Sequence, residues 1–146
     1  MKALLDTNIL LRMMNRAHPK HAAIGAVLKE LASRSVELFI APQVIFESYV
    51  VATRPLNVRG FGFGPNDACQ LVRNAMQKLP LLPDPSDLTN RWLQICEDHS
   101  ISGKPAHDAR LVAWMDAYGI TRLVTLNPAD FRRYSHITLI VPGDPA

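Results

Sequence analysis

Short apolar runs that stop at a polar residue, each followed by a stretch of helical spacing, are the feature that most restricts how this chain can fold. Ala3-Leu4-Leu5 stops at Asp6, Glu37-Leu38-Phe39-Ile40 stops just before Pro42, and Leu123-Val124-Thr125-Leu126 stops at Asn127. Leu79–Leu82, interrupted by Pro80, reads as a strand near an edge, and Thr138–Val141 as a last strand before a Pro-rich tail. Such runs are too short for buried helices and suit strands covered on both faces. Alternated with helices, they predict a three-layer α/β/α sandwich around a central, mainly parallel sheet of about four or five short strands. In such folds ligands bind beyond the carboxyl ends of the strands. Asp6 and the Asn127–Asp130 turn fall there.

The helices are marked by their ends. Asn8 is placed to cap a helix over Ile9–Met14, and His18-Pro19 opens a longer one to about Ser33. Pro42 suits the first turn of a helix that Pro55 stops after Arg54. A Gly-rich loop with two aromatics, Asn57 to Pro65, leads to a helix from Asn66 or Asp67 to Lys78. Two more run from Ser86 to His99 and from Pro105 to Tyr118, the latter with Gly119 just past its end. No repeat or linker divides the chain, so residues 1–146 read as one domain.

Composition narrows the class. Hydrophobic residues make up 48% and charged residues 20%, an ordinary globular balance. No apolar run approaches the ~20 residues of a membrane span, and Asp6 arrives too early for a signal-peptide core. A cytoplasmic protein is expected. Cys69 and Cys96 have no redox or metal-ligand spacing, nor do His18, His21, His99, His107 and His136. Trp92 and Trp114 sit in helical patterns and read as core. There are 16 Lys+Arg against 13 Asp+Glu. If four acids share one pocket, nine remain to face sixteen bases, a basic surface around an acidic hole that suits a phosphate backbone. Scattered, solvated basic residues satisfy the same count.

Three acids occupy positions that apolar residues should hold. Asp6 ends a buried strand. Glu47 shares helical spacing with Val44, Val50 and Val51, and Asp108 heads the stripe Leu111, Val112, Met115. A half-buried carboxylate needs an Arg or Lys partner, a helix N-terminus or a bound cation. Any one of these acids, taken singly, is satisfied by a salt bridge or a cap, and Lys104, His107 and Arg110 lie near Asp108 in sequence. Three acids at strand ends and helix starts favour a shared divalent ion, and oxygen ligands favour Mg²⁺ or Mn²⁺.

At these residues the chain resembles the PIN-domain nucleases, in particular the VapC-like toxins of bacterial toxin–antitoxin pairs. The matching segments are Leu4-Leu5-Asp6-Thr7-Asn8-Ile9-Leu10, Val44–Tyr49 with Thr53-Arg54-Pro55, Ala106-His107-Asp108-Ala109-Arg110-Leu111-Val112-Ala113, and Leu123–Phe131. They span essentially the whole chain in order. The resemblance implies metal-dependent endoribonuclease chemistry, with catalytic and metal-binding roles for Asp6, Glu47 and Asp108. It also implies a cognate antitoxin and a homodimer. Many members have an acid two residues after the threonine, where this chain has Asn127; Asp130, three residues on, is the candidate fourth acid. Thr7 and Asn127 are candidate supports for the acids or for bound water. Arg54, Arg59 and Arg110 are candidate RNA contacts, although Arg110 equally suits a neighbouring acid. Phe61 and Phe63 either stack on bases or anchor the loop. An RNA-processing nuclease without antitoxin and a non-catalytic RNA-binding module are the competing readings.

Overall fold

The computed structural model describes residues 1–143. Four short strands, β1 (Lys2–Leu5), β2 (Glu37–Phe39), β3 (Arg122–Val124) and β4 (Thr138–Ile140), form one parallel sheet in the order β2-β1-β3-β4. Leu4 stands opposite Phe39 on one side and Leu123 on the other. Successive strand residues point to opposite faces, yet Ala3, Leu4 and Leu5 are all fully buried, as are Leu123 and Val124. Both faces of the central strands are therefore covered, as the unbroken apolar runs require. Burying each of these leucines contributes about 1.5–3 kcal/mol.

Six helices supply the cover: α1 (Thr7–Met14), α2 (His21–Ser33), α3 (Pro42–Thr53), α4 (Pro65–Lys78), α5 (Leu88–Asp98) and α6 (Pro105–Ala117). α1 packs on α2 and α3, α3 on α4, and α5 on α6. α6 is the most enclosed, with Ala109 and every residue from Leu111 to Met115 buried. A Schellman end closes it: Ile120 N–H donates to the Met115 carbonyl at 2.9 Å and Gly119 N–H to Asp116 at 3.2 Å, with Gly119 at φ 64°. Trp114 lies in the core, while Trp92 packs against it and donates its indole N–H to the Ala106 carbonyl at 2.8 Å. No helix among the described residues is long and apolar enough to cross a membrane.

The strand order fixes where a ligand can enter. The chain leaves β1 for β2 on one side, then returns through α3–α6 to β3 on the other side of β1. The direction reverses between β1 and β3, which opens a crevice at their carboxyl ends. Asp6 follows β1 and Thr125 follows β3, so both line it.

Several boundaries depart from the sequence-based expectation. α1 begins at Thr7, and its cap is Asp6, whose Oδ1 accepts from Thr7 N–H at 2.8 Å. Asn8 is inside the helix, so its amide is free for a tertiary role. α2 starts at His21 rather than at His18-Pro19, because residues 18–20 form a turn. Leu79–Leu82 is no strand: Pro80 withholds a donor, and one bridge, Ile40 to Leu81, is all that forms. The third apolar run leaves the sheet after Val124, since Leu126 N–H turns to the Asn8 side chain. Val50, expected on the core face of α3, is 51% exposed; the buried stripe is Gln43, Val44, Ser48 and Ala52. The Pro-rich tail lies mostly past Gly143, outside the described residues.

The Gly-rich loop folds back on the last turns of α3. Phe61 N–H donates to the Val51 carbonyl, Gly62 N–H to Arg54 and Phe63 N–H to Ala52, all at 2.9–3.0 Å. Gly60 approaches so closely that a Cβ there would stand 1.9 Å from the Arg54 carbonyl oxygen. Phe61 and Phe63 meet edge to face with ring centroids 5.7 Å apart, and Phe63 stays exposed.

Candidate active site

The crevice is organised around Asp6, which is 8% exposed. Its position follows from β1: a strand buried on both faces delivers the next residue into the crevice mouth. Thr125, itself fully buried, donates its hydroxyl to Asp6 Oδ2 at 2.7 Å and accepts Asn127 N–H at 3.0 Å. Asn8 Nδ2 donates to the same Asp6 oxygen at 3.3 Å, while Asn8 Oδ1 accepts Leu126 N–H at 3.1 Å. Asn8 thus ties the start of α1 to the end of β3. Without an opposing cation, burial pushes the Asp6 carboxyl up, the Thr125 and Thr7 hydrogen bonds pull it down, and the charges of Glu47 and Asp130 raise it again.

Glu47 reaches the crevice from α3. Thr7 Oγ1 donates to its Oε2 at 2.6 Å, and Gln43, one turn earlier on α3, donates to its Oε1 at 2.9 Å. Thr7 therefore joins the first two acids, its backbone N–H on Asp6 and its hydroxyl on Glu47. Asp108 enters from the first turn of α6, where the helix dipole favours its charge. It is nevertheless pushed up to about 7, first by burial, then by the charges of Asp130, Asp6 and Glu47; Lys104 opposes this with the smallest effect. Asp130 lies in a 3₁₀ turn, Pro128–Phe131, and is exposed, but its charge acts on both Asp6 and Asp108.

Four acids from four separate segments thus share one electrostatic field. None of them forms an ion pair among the described residues; the ion pairs there are Arg34–Glu30, Arg91–Asp87, Arg110–Asp84 and His136–Asp116. At the same time, no three His, Cys, Asp or Glu side chains among the described residues stand close enough to be a ready ligand set. Charge coupling extends further than ligation distance, and Glu47 is turned toward Thr7 and Gln43. The donor chemistry, carboxylate oxygens only, suits a hard divalent ion. Such an ion would favour the ionised forms of Asp6 and Asp108 that burial and mutual repulsion oppose.

The other candidate residues are spread more widely. Asn127 is exposed and supports Thr125 through its backbone N–H. Arg54 and Arg59 are exposed at and beyond the end of α3, Arg59 in the left-handed region at φ 63°. Arg54 lies seven residues along from Glu47, about 10 Å down the helix axis. Arg110 is engaged by Asp84 Oδ2 at 2.8 Å and Gln43 Oε1 at 3.1 Å. Sequence reasoning missed Thr125, Gln43 and the tertiary role of Asn8. The available signals were a threonine at a strand end facing the same crevice as Asp6 and a glutamine one turn before a half-buried glutamate.

Carboxylates from separate segments, gathered where a parallel sheet reverses its strand order, define an acid-lined crevice at the carboxyl ends of β1 and β3. The chain belongs to the PIN domain family, whose model matches residues 3–137. It is 31% identical over 131 residues to Ribonuclease VapC24 of Mycobacterium tuberculosis, covering 84% of each chain. Its fold is similar to that of VapBC2 from Rickettsia felis, solved bound to a DNA fragment from its promoter, with a TM-score of 0.72, 18% identity and coverage of 97% and 98%. DNA-bound VapBC from Salmonella typhimurium gives a TM-score of 0.68 at 17% identity, again with 97% and 98% covered.

Proposed function

We propose that this chain is an endoribonuclease, the toxin of a toxin–antitoxin pair, and that Asp6, Glu47, Asp108 and Asp130 hold Mg²⁺ or Mn²⁺. The observation that carries the site is Thr7 joining Asp6 to Glu47, with the charges of Asp130, Asp6 and Glu47 all acting on Asp108. A ribonuclease relative that matches along most of both chains supplies the reaction class. Bound there, a divalent ion would acidify water and offset charge on the phosphoryl oxygens. The chain's own part is to fix the acids before substrate arrives. Thr125 and Thr7 N–H hold Asp6, Thr7 and Gln43 hold Glu47, and the α6 N-terminus presents Asp108.

The partner in this reading is an antitoxin helix laid in the groove between α3 and α4. That groove, about 450 Å³, is lined by Ile45, Tyr49 and Val72 and by the exposed Phe46, Val50 and Met76. An exposed apolar patch of this kind suits the apolar face of a helix. A homodimer completes the assembly, to be checked by light scattering.

The test is RNA cleavage by the purified chain with Mn²⁺, with EDTA, and with an Asp6→Asn variant. Cleavage is expected with Mn²⁺, lost in EDTA, and reduced at least a hundredfold in Asp6→Asn. Full activity in the variant or in EDTA would defeat the metal-site reading.

A further inference from the structure

Gln43 is a glutamine in the buried stripe of α3, 8% exposed. Its amide nitrogen donates twice, to Glu47 Oε1 at 2.9 Å and to the carbonyl of His107, the residue before Asp108, at 2.8 Å. Its amide oxygen accepts from Arg110 Nη1 at 3.1 Å, and Arg110 Nη2 donates to Asp84 Oδ2 at 2.8 Å. The relay Asp84–Arg110–Gln43–Glu47 therefore joins α6, α3 and the segment before α5. It also fixes which way the amide points. Turned over, the amide would set its oxygen against two acceptors and its NH₂ against a guanidinium. Arg110 closes off that alternative.

We propose that Gln43 is a positioning residue that holds Glu47 and the first turn of α6 in one register, and that Arg110 acts through Gln43 rather than on RNA. The proposal rests on the ribonuclease reading above. The two terminal nitrogens of Arg110 are held within the protein, one by the Gln43 amide oxygen and the other by Asp84, which fixes the plane of the guanidinium. Removing Gln43 leaves Glu47 held by Thr7 alone and the His107 carbonyl without its donor, and removing Arg110 leaves the Gln43 amide free to turn over.

The test is a double-mutant cycle on the full chain, with steady-state RNA cleavage in Mn²⁺ and a separate Mn²⁺ titration by calorimetry. Gln43→Leu keeps the volume and removes the amide. It is expected to lower kcat about tenfold, leave KM within about twofold, and weaken Mn²⁺ binding about tenfold. Arg110→Ala alone is expected to lower kcat severalfold at unchanged KM, with partial recovery in Arg110→Lys. Made on top of Gln43→Leu, Arg110→Ala should change kcat less than twofold. Gln43→Met, which keeps the length without donors or added charge, serves if the leucine variant does not fold, with the same expected losses. Independent, multiplying effects, or an Arg110→Ala effect chiefly on KM, would show that Arg110 touches RNA and overturn the relay. Wild-type kcat and Mn²⁺ affinity in Gln43→Leu would remove Gln43 from the site. A wild-type chain that cleaves no RNA defeats the ribonuclease reading instead, and the Mn²⁺ titration then still decides whether Gln43 supports Glu47.

Discussion

Replacing Asp108 by asparagine should make the metal-free protein more stable while abolishing cleavage. Burial and the neighbouring acids push the folded Asp108 carboxyl up to about 7, against the ordinary 3.8 of an aspartate in the unfolded chain. Below pH 3.8 both states carry the proton and the group has no effect on stability. Between 3.8 and about 7 the unfolded chain has released its proton and the folded chain has not, so stability falls as pH rises. Above 7 the deficit is complete and constant. The full gap corresponds to roughly 4 kcal/mol; Asp108 keeps part of its solvent contact, and screening brings the expected deficit to about 2 kcal/mol. Asparagine has the same shape and no charge, so it escapes the deficit. Urea denaturation at pH 8 in EDTA should show Asp108→Asn about 2 kcal/mol more stable, with a Tm higher by about 4–8 °C. At pH 5 the advantage should shrink below about 1 kcal/mol. Excess Mn²⁺ should stabilise the wild type and not the variant, reversing their order. A variant equal to or less stable than the wild type at pH 8 in EDTA would refute the electrostatic account of the site.

Three further outcomes are expected. Thr125→Val removes the donor to Asp6 Oδ2 and the acceptor of Asn127 N–H without changing shape; it should cost about 2 kcal/mol in urea denaturation, and an unchanged midpoint would show that these bonds do not support the crevice. Phe46→Glu places a charge on a side chain that is 64% exposed. It should leave stability within about 0.5 kcal/mol and cleavage intact, yet weaken antitoxin binding at least tenfold; undiminished binding moves the partner to another surface. Gly60→Ala forces a methyl group onto the Arg54 carbonyl. The loop must rearrange, at about 1–3 kcal/mol, and faster limited proteolysis between Pro55 and Gly64 should report it, whereas wild-type resistance would mean that the backbone yields freely.

The acids were legible because they violate a pattern. Asp6 terminates a fully apolar strand and Asp108 heads a stripe whose other members, Leu111, Val112 and Met115, are indeed buried. Glu47 was found by spacing that holds only in part, since Val44 is buried and Val50 faces solvent. Periodicity marks a helix face to within about one residue's rotation, and α3 turns a neighbouring stripe inward. The polar supports were hidden for a different reason. Thr125 lies 119 residues from Asp6, and Gln43 lies 64 from His107; nothing local in the chain announces a hydrogen bond across such separations. Asn8 looked like a cap because its residue type suits one, but Asp6 already supplied the cap and left Asn8 to bridge α1 and β3. Pro80 signalled a weak strand, and a single bridge is what remained.

The strand that lies beside β1 in the middle of the sheet, β3, follows β2 and all six helices along the chain. While a ribosome is still making the chain, Asp6 and Glu47 exist without the wall that Thr125 and the Asp130 turn provide. The crevice is completed only when residues 122–131 slot in next to the first strand, and until then Asp6 lacks the buried threonine that fixes its carboxylate.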